Sequence, residues 1–184
     1  MKKTLSICCY GGSSEEIDEK YLDAGYALGR EIARRGHGIV FGGGARGMMG
    51  AVARGTHSGG GKIIGVAPTF FDEPGVLFDK CDEFYPTVTM RERKQKMDDL
   101  ADAFIVMPGG IGTLEEFFEM ITLRGLGQTK KPVVMFSVGG FYRGIDRMME
   151  FMRDEGFLHV PTEKLYVTFD GVEEMLDHIE KEVE

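Results

Sequence analysis

Short apolar runs alternate with longer amphipathic stretches along most of the chain, and this alternation constrains the fold more than any other feature. The run Gly38-Ile39-Val40-Phe41 is typical of a buried strand, and the stretch before it, Ile17 to Arg35, has the apolar period of a helix. Repeated strand–helix units predict a parallel sheet with helices against both faces. We therefore expect a single domain over residues 1–184, a Rossmann-like, doubly wound α/β fold.

The same periodicity predicts seven strands and six helices. In doubly wound sheets, ligands bind beyond the carboxyl ends of the strands, so the strand–helix junctions are the candidate sites. The long irregular stretch 68–80 is a further candidate, because loops of that length in compact chains are often functional. The predicted strands are Leu5–Cys9, Gly38–Phe41, Ile63–Ala67, Glu83–Thr87, Ala103–Met107, Pro132–Phe136 and Leu165–Val167. The predicted helices are Ile17–Arg35, Met48–Ser58, Met90–Ala101, Thr113–Leu123, Tyr142–Glu155 and Val172–Glu182.

Charge and residue usage narrow the range of partners. The formal charge of −8 argues against a nucleic-acid surface, and no run approaches the roughly 20 apolar residues of a membrane span. The three cysteines, an odd number with two adjacent, form no disulfide framework and favour a cytoplasmic location. The four histidines lack metal-ligand spacing, so we predict turn or surface positions for them and no metal site. They are His37, His57, His159 and His178.

The first two junctions have mainly structural interpretations. Ser13 and Glu16 have the spacing of a capping box, although an anion or ribose contact at this turn is an alternative. Residues 42–47 match the dinucleotide fingerprint G-x-G-x-x-G, but the next predicted strand does not end in the acid that would hold a ribose. Close packing of a helix on the strand is the preferred interpretation of these glycines, and a nicotinamide-dependent oxidoreductase is disfavoured.

The third junction, residues 108–116, predicts an anion site. Its glycines let backbone amides converge on an anion, the following helix adds its positive end, and Thr113 can donate a hydroxyl. The G-K-[ST] element of a triphosphate-binding loop is missing, which favours a nucleoside monophosphate. Thr113 and Glu116 also have capping-box spacing, so Glu116 alone is equally a structural or a functional residue.

Arg93 favours the functional interpretation of Glu116. It lies on the inner stripe of its predicted helix together with Met90, Met97 and Leu100. A cation among core-facing side chains needs a carboxylate or a phosphate as its partner. Because this helix leads into the strand before the third junction, we expect Arg93 to approach the same pocket as Glu116.

Three motifs resemble those of the LONELY GUY family of phosphoribohydrolases, which is often labelled lysine decarboxylase-like. Residues 108–116 resemble its P-G-G-x-G-T-x-x-E signature, residues 90–94 its M-H-E-R-K element and residues 42–50 its G-G-G-x-x-G-L-M-G. The resemblance implies hydrolysis of the N-glycosidic bond of a nucleoside 5′-monophosphate, either AMP or a cytokinin riboside monophosphate. The products would be a free base and ribose 5-phosphate.

The resemblance also implies site residues and partners. Arg93 and Glu116 would be the catalytic pair, and the protein would be a homodimer that needs no cofactor. The implied substrate-binding residues are Glu73, Lys94, Gly109, Gly110, Ile111, Gly112, Thr113 and Thr122.

Departures from the family pattern leave the base preference open. Arg91 replaces the usual His, and Leu123 and Gly125 replace a Trp and a Gln. A pyridoxal-dependent decarboxylase is not expected, because no Schiff-base lysine can be assigned. A non-catalytic nucleotide or cofactor carrier on the same fold is the alternative function.

Overall fold

The computed structural model describes residues 3 to 183, and its strands and helices alternate along the chain as the sequence predicts. The strands are β1 (Ser6–Tyr10), β2 (Gly38–Phe41), β3 (Ile63–Pro68), β4 (Glu83–Thr87), β5 (Ala103–Val106), β6 (Val133–Phe136) and β7 (Val167–Phe169). The helices are α1 (Glu19–Arg34), α2 (Gly47–Ser58), α3 (Met90–Leu100), α4 (Ile111–Gly125), α5 (Arg143–Asp154) and α6 (Val172–Val183). Met1, Lys2 and Glu184 lie outside the described residues.

All the strands belong to one parallel sheet, which confirms the doubly wound α/β fold. Its order is β4-β3-β2-β1-β5-β6-β7. The chain therefore builds outward from β1 to one edge, then returns to place β5 beside β1 and builds to the other edge. Cys8 of β1 is in register with Val40 of β2 on one side and with Phe104 of β5 on the other. The order reverses between β1 and β5, which is where such sheets bind ligands.

The two faces of the sheet carry separate hydrophobic clusters. Along β1, Ile7 and Cys9 pack against α1, α2 and α6, whereas Cys8 and Tyr10 pack against α3, α4 and α5. This alternation follows from the period of two in a strand. Both faces are buried under helices, which is why the inner strands are apolar at nearly every position.

Helix α1 begins later than predicted. Its N-cap is Asp18, whose carboxylate accepts a hydrogen bond from the Lys20 amide at 3.0 Å. The predicted capping box of Ser13 and Glu16 is wrong, since both residues lie in the loop before the helix and Ser14 accepts from the Glu16 amide instead. The last strand begins two residues later than predicted, after a short 3₁₀ turn at Thr162–Lys164.

The turn or surface position predicted for the histidines holds only in part for His37, which directly follows the turn after α1 but is buried. This residue is 2% exposed, its Nδ1 accepts a hydrogen bond from the Leu5 amide at 3.2 Å, and its Nε2 lies 2.9 Å from Glu180 Oε1. Because Nδ1 is the acceptor, Nε2 carries the hydrogen and donates a hydrogen bond to the Glu180 carboxylate. His37 thereby ties α6 to the amino ends of β1 and β2.

No helix within residues 3–183 is long and apolar enough to cross a membrane.

Candidate active site

A cleft of about 620 Å³ opens at the point where the strand order reverses. The carboxyl end of β1 and the residues after β2 line it, together with the amino-terminal turns of α3 and α4. The loop after β3 closes the opposite side with apolar side chains. The cleft is lined by residues 9–14, Gly42, Gly44, Arg46, Met49, Phe71, Val76, Leu77, Met90, Arg93, Gly110, Gly112, Thr113, Glu115 and Glu116.

Arg93 and Glu116 form a buried ion pair in this cleft. Arg93 Nη1 donates to Glu116 Oε1 at 2.8 Å, and each residue is less than a tenth exposed. Arg93 Nε also donates to the carbonyl oxygen of Val66, at the end of β3, at 3.3 Å. The guanidinium is thus bonded on two sides, and the structure brings the predicted cation and carboxylate together.

Glu116 is not the capping residue that its spacing with Thr113 allows. The N-cap of α4 is Gly110, so Glu116 lies in the second turn and its side chain reaches Arg93. Burial raises the pKa of the Glu116 carboxyl group, and the nearby Arg93 charge only partly offsets this rise. The group consequently takes up a proton at a higher pH than an exposed glutamate does.

Two local features place Arg93. Helix α3 begins with a capping box in which Thr89 and Glu92 each accept from the other's amide, a T-x-x-E spacing that is visible in the sequence but was not among the predicted caps. A Cβ on Gly42 would lie 2.0 Å from Arg93 Nη2. The same Cβ would lie 3.2 Å from Met49 Sδ of α2, so the close helix packing predicted for these glycines is present at Gly42, where the missing side chain also makes room for the guanidinium.

The amino-terminal turn of α4, residues 110–113, has the geometry of an anion site and is here called the anion cradle. The first backbone bond of the helix runs from the Leu114 amide to the Gly110 carbonyl at 3.1 Å, so the amides before Leu114 have no acceptor within the helix. No other heavy atoms lie within 4 Å of the Cβ positions of Gly110 and Gly112, which leaves space for an anion. Thr113, 4% exposed, adds a hydroxyl at the buried side of the cradle.

The start of α2 is not an equivalent site. The amides of Met48 and Met49 both donate to the carbonyl oxygen of Gly12, at 2.8 and 3.4 Å. These bonds occupy the donors that a helix start otherwise offers to an anion. The geometry therefore favours α4 over α2 as the site of a phosphate.

Comparison with known proteins identifies the family. A family model described as "Possible lysine decarboxylase" matches residues 49–179. The cytokinin riboside 5'-monophosphate phosphoribohydrolase LOG of Oryza sativa subsp. japonica is 38% identical over 177 residues, which is 96% of this chain and 73% of that protein. The phosphoribohydrolase LOG7 of Arabidopsis thaliana is 35% identical over 175 residues, 95% of this chain and 81% of that protein. The chain belongs to the LONELY GUY family.

Solved structures agree with the LONELY GUY chain at the level of the fold. A molybdenum cofactor binding protein from Rippkaea orientalis superposes with a TM-score of 0.74 at 20% identity and covers all of both chains. The molybdenum cofactor carrier protein of Chlamydomonas reinhardtii also reaches 0.74, at 22% identity, over 98% of this chain and 99% of that one. At these identities the likeness shows a shared fold alone.

Five residues implied by the resemblance do not line the cleft, namely Glu73, Lys94, Gly109, Ile111 and Thr122. Ile111 is 88% exposed at the start of α4, and Gly109 directly precedes the N-cap of that helix. Lys94 pairs with Glu115, and also with Glu119 at 2.8 Å, in a neighbouring groove between α3 and α4. Thr122 is exposed on α4 and donates its hydroxyl to the carbonyl of Phe118 at 2.6 Å. Glu73 lies in the loop after β3, on the side of the cleft that Phe71 lines.

Two of the departures from the LONELY GUY pattern share that groove. Arg91 and Leu123 both line it, and the groove meets the cleft at Tyr10 and Glu115. Gly125 is exposed near the end of α4. The sequence patterns did not indicate the apolar residues of the cleft, and the long loop that supplies Phe71, Val76 and Leu77 was the one signal for them.

Proposed function

We propose that this protein hydrolyses the N-glycosidic bond of nucleoside 5′-monophosphates to a free base and ribose 5-phosphate. The observation that carries the proposal is the buried Arg93–Glu116 pair beside the anion cradle, within one cleft. The relatives that are named phosphoribohydrolases of a cytokinin riboside monophosphate support the same reaction. The cleft volume lies in the range of about 300–1,000 Å³ that suits a ligand of nucleotide size.

The anion cradle would hold the 5′-phosphate. Amides at the start of α4 and the Thr113 hydroxyl donate to its oxygens, and the helix dipole favours its charge. The apolar wall of Met49, Phe71 and Leu77 leaves a surface for the flat base. We propose that Lys94, Glu73 and Thr122 act at the edges of the site and that Gly109, Gly110, Ile111 and Gly112 shape the cradle.

Glu116 would perform the chemistry. Breaking the bond between C1′ and the base nitrogen leaves positive charge on the ribose, which a nearby carboxylate stabilises. The base leaves with the bonding electron pair, and its nitrogen takes up a proton from solvent. The water oxygen bonds to C1′ while Glu116 orients that water and accepts its proton, which then returns to solvent. The net change is the addition of one water molecule across the bond. Arg93 holds the carboxylate in place and favours its ionised form, because its guanidinium is bonded to both Glu116 and Val66.

We further propose that the protein is a cytoplasmic homodimer. Val88 and Ile111, next to the starts of α3 and α4, are 72% and 88% exposed, and such side chains at the rim of the site suit a subunit contact. The three cysteines are unpaired, which is typical of a reducing compartment. Light scattering should give a mass twice that of the 20.4 kDa chain.

The function is tested with a panel of nucleoside monophosphates assayed for free base by chromatography. We expect Glu116→Gln to lower kcat by about 10³-fold or more while the protein stays folded. Glu150→Gln, on the exposed face of α5, is the matched control and should leave turnover unchanged. Normal turnover by Glu116→Gln would refute its role, and tight nucleotide binding without base release would favour the non-catalytic carrier.

A further inference from the structure

Tyr142 is a buried side chain bonded to the backbone just before the anion cradle. It is 2% exposed, it does not line the cleft, and its hydroxyl donates to the carbonyl oxygen of Met107 at 2.6 Å. Met107 follows β5, and residues 107–110, here called the 107–110 turn, connect that strand to α4. The contact joins residues 35 positions apart in the chain.

Tyr142 is itself held firmly. It immediately precedes α5, and its amide donates to the Ser137 hydroxyl, which is also buried, at 2.9 Å. Its ring belongs to the hydrophobic cluster formed with α3, α4 and α5. The phenol is therefore a fixed point to which the 107–110 turn is attached.

The 107–110 turn is bonded on its other side by the loop after β1. The Gly12 amide donates to the Pro108 carbonyl at 3.1 Å. A Cβ on Gly109 would lie 2.2 Å from the Thr113 hydroxyl oxygen and 2.8 Å from the Gly12 nitrogen, so this turn packs directly on the cradle. Burial raises the pKa of the Tyr142 phenol, so its hydroxyl stays protonated and able to donate to Met107.

These bonds decide the position of the cradle. The helical bonds of α4 begin only at the Leu114 amide, so the residues before it depend on contacts with the rest of the molecule. We propose that Tyr142 is a positioning residue, whose hydroxyl holds the 107–110 turn where the first amides of α4 and Thr113 can bind a sugar phosphate. This inference rests on the proposed function in that the cradle takes the 5′-phosphate.

The test compares two conservative substitutions. Tyr142→Phe removes only the hydroxyl that bonds Met107. Tyr166→Phe is the matched control, since Tyr166 packs in the same cluster and its hydroxyl donates to Asp146 at 3.0 Å, away from the turn. The readouts are the dissociation constant of ribose 5-phosphate by calorimetry, the KM and kcat for AMP, and the melting temperature.

We expect Tyr142→Phe to weaken ribose 5-phosphate binding and to raise KM about tenfold, since misplacement of binding groups by a fraction of an ångström has effects of this order. Tyr166→Phe should stay within about twofold of the wild type in the dissociation constant of ribose 5-phosphate and in KM. Each of the two variants loses one hydrogen bond of a tyrosine hydroxyl and therefore some thermal stability. Equal changes in the two variants would overturn the inference and leave Tyr142 a structural residue.

Two further outcomes separate this inference from the proposed function. If the wild type binds ribose 5-phosphate but releases no base, the hydrolase proposal fails, and the binding comparison still decides the role of Tyr142. If the wild type does not bind ribose 5-phosphate, both fail. Should Tyr142→Phe be too unstable at about 25 °C, the two variants are compared near the temperature of maximum stability, about 10–20 °C, with a stabilising osmolyte. Equal ribose 5-phosphate binding by Tyr142→Phe and Tyr166→Phe under those conditions would overturn the inference.

Discussion

Replacing Gly42 with alanine should damage the site without touching either member of the ion pair. An alanine Cβ would lie 2.0 Å from Arg93 Nη2 and 3.1 Å from its Cζ. Real Cβ contacts are essentially never shorter than 3.0 Å, so the guanidinium must retreat by about 1 Å. We expect this movement to lengthen or misalign the bond from Arg93 Nη1 to Glu116 Oε1, which is now 2.8 Å long.

The size of the effect follows from this displacement. A shift of about 1 Å in a catalytic group costs on the order of 10²-fold in rate, or about 2.7 kcal/mol of transition-state stabilisation. Overpacking a buried position also lowers the free energy of unfolding by about 1–3 kcal/mol. Because the Arg93 charge lowers the pKa of Glu116, its retreat should raise that pKa further.

The assay is kcat/KM for AMP, measured together with urea unfolding. Gly144→Ala is the matched control, because its Cβ meets no other heavy atom within 4 Å and it lies in the first turn of α5. This control should keep wild-type kcat/KM and gain about 0.5–1 kcal/mol of stability from the better helix former. Wild-type kcat/KM in Gly42→Ala would refute the reasoning that Gly42 makes room for Arg93.

Four other outcomes are expected. If ionised Glu116 is the active form, kcat/KM should fall on acidification, with a midpoint above the ordinary glutamate pKa of about 4.3. Arg93→Gln should move that midpoint to a still higher pH, because the Arg93 charge lowers the pKa of Glu116. Both midpoints are measured from pH–rate profiles. The folded state then binds this proton more tightly than the unfolded state, so wild-type stability should fall as the pH rises through that range, and Glu116→Gln should abolish this slope. His37→Ala should lower the free energy of unfolding by about 1–3 kcal/mol, because it leaves the Leu5 amide without its acceptor. It should leave kcat/KM unchanged, because His37 lies at the amino ends of β1 and β2 and the cleft lies at their carboxyl ends. Thr89→Ala should cost about 1 kcal/mol in the same urea titration, and no loss would contradict the observed cap of α3.

The elements were largely predictable because their signal is local. The strands β2 and β4 have the predicted bounds, and α3 differs from its prediction by one residue. The errors occurred where two local signals compete. Ser13 and Asp18 are both good N-caps, and the structure uses Asp18, which lies next to the first helical residue.

The candidate site was predictable only in part. Arg93 stood out as a cation on an apolar helix stripe, and Glu116 follows a glycine-rich turn after a strand. Because a buried cation needs an anionic partner, the ion pair between them could be expected from the sequence. The apolar periodicity of the sequence could not indicate that His37 is buried, because its partners Leu5 and Glu180 are 32 and 143 residues away in the chain.

The sequence by itself determined that the chain alternates strands and helices, that its sheet is parallel, and that a glycine-rich turn with free amides begins α4. Only the tertiary structure decided that β5 lies beside β1, that Gly42 leaves room for Arg93, and that Tyr142 holds the 107–110 turn. Periodicity and capping act over a few residues, whereas these contacts depend on strand order. Strand order arises from packing the whole chain around one sheet, which no local pattern encodes.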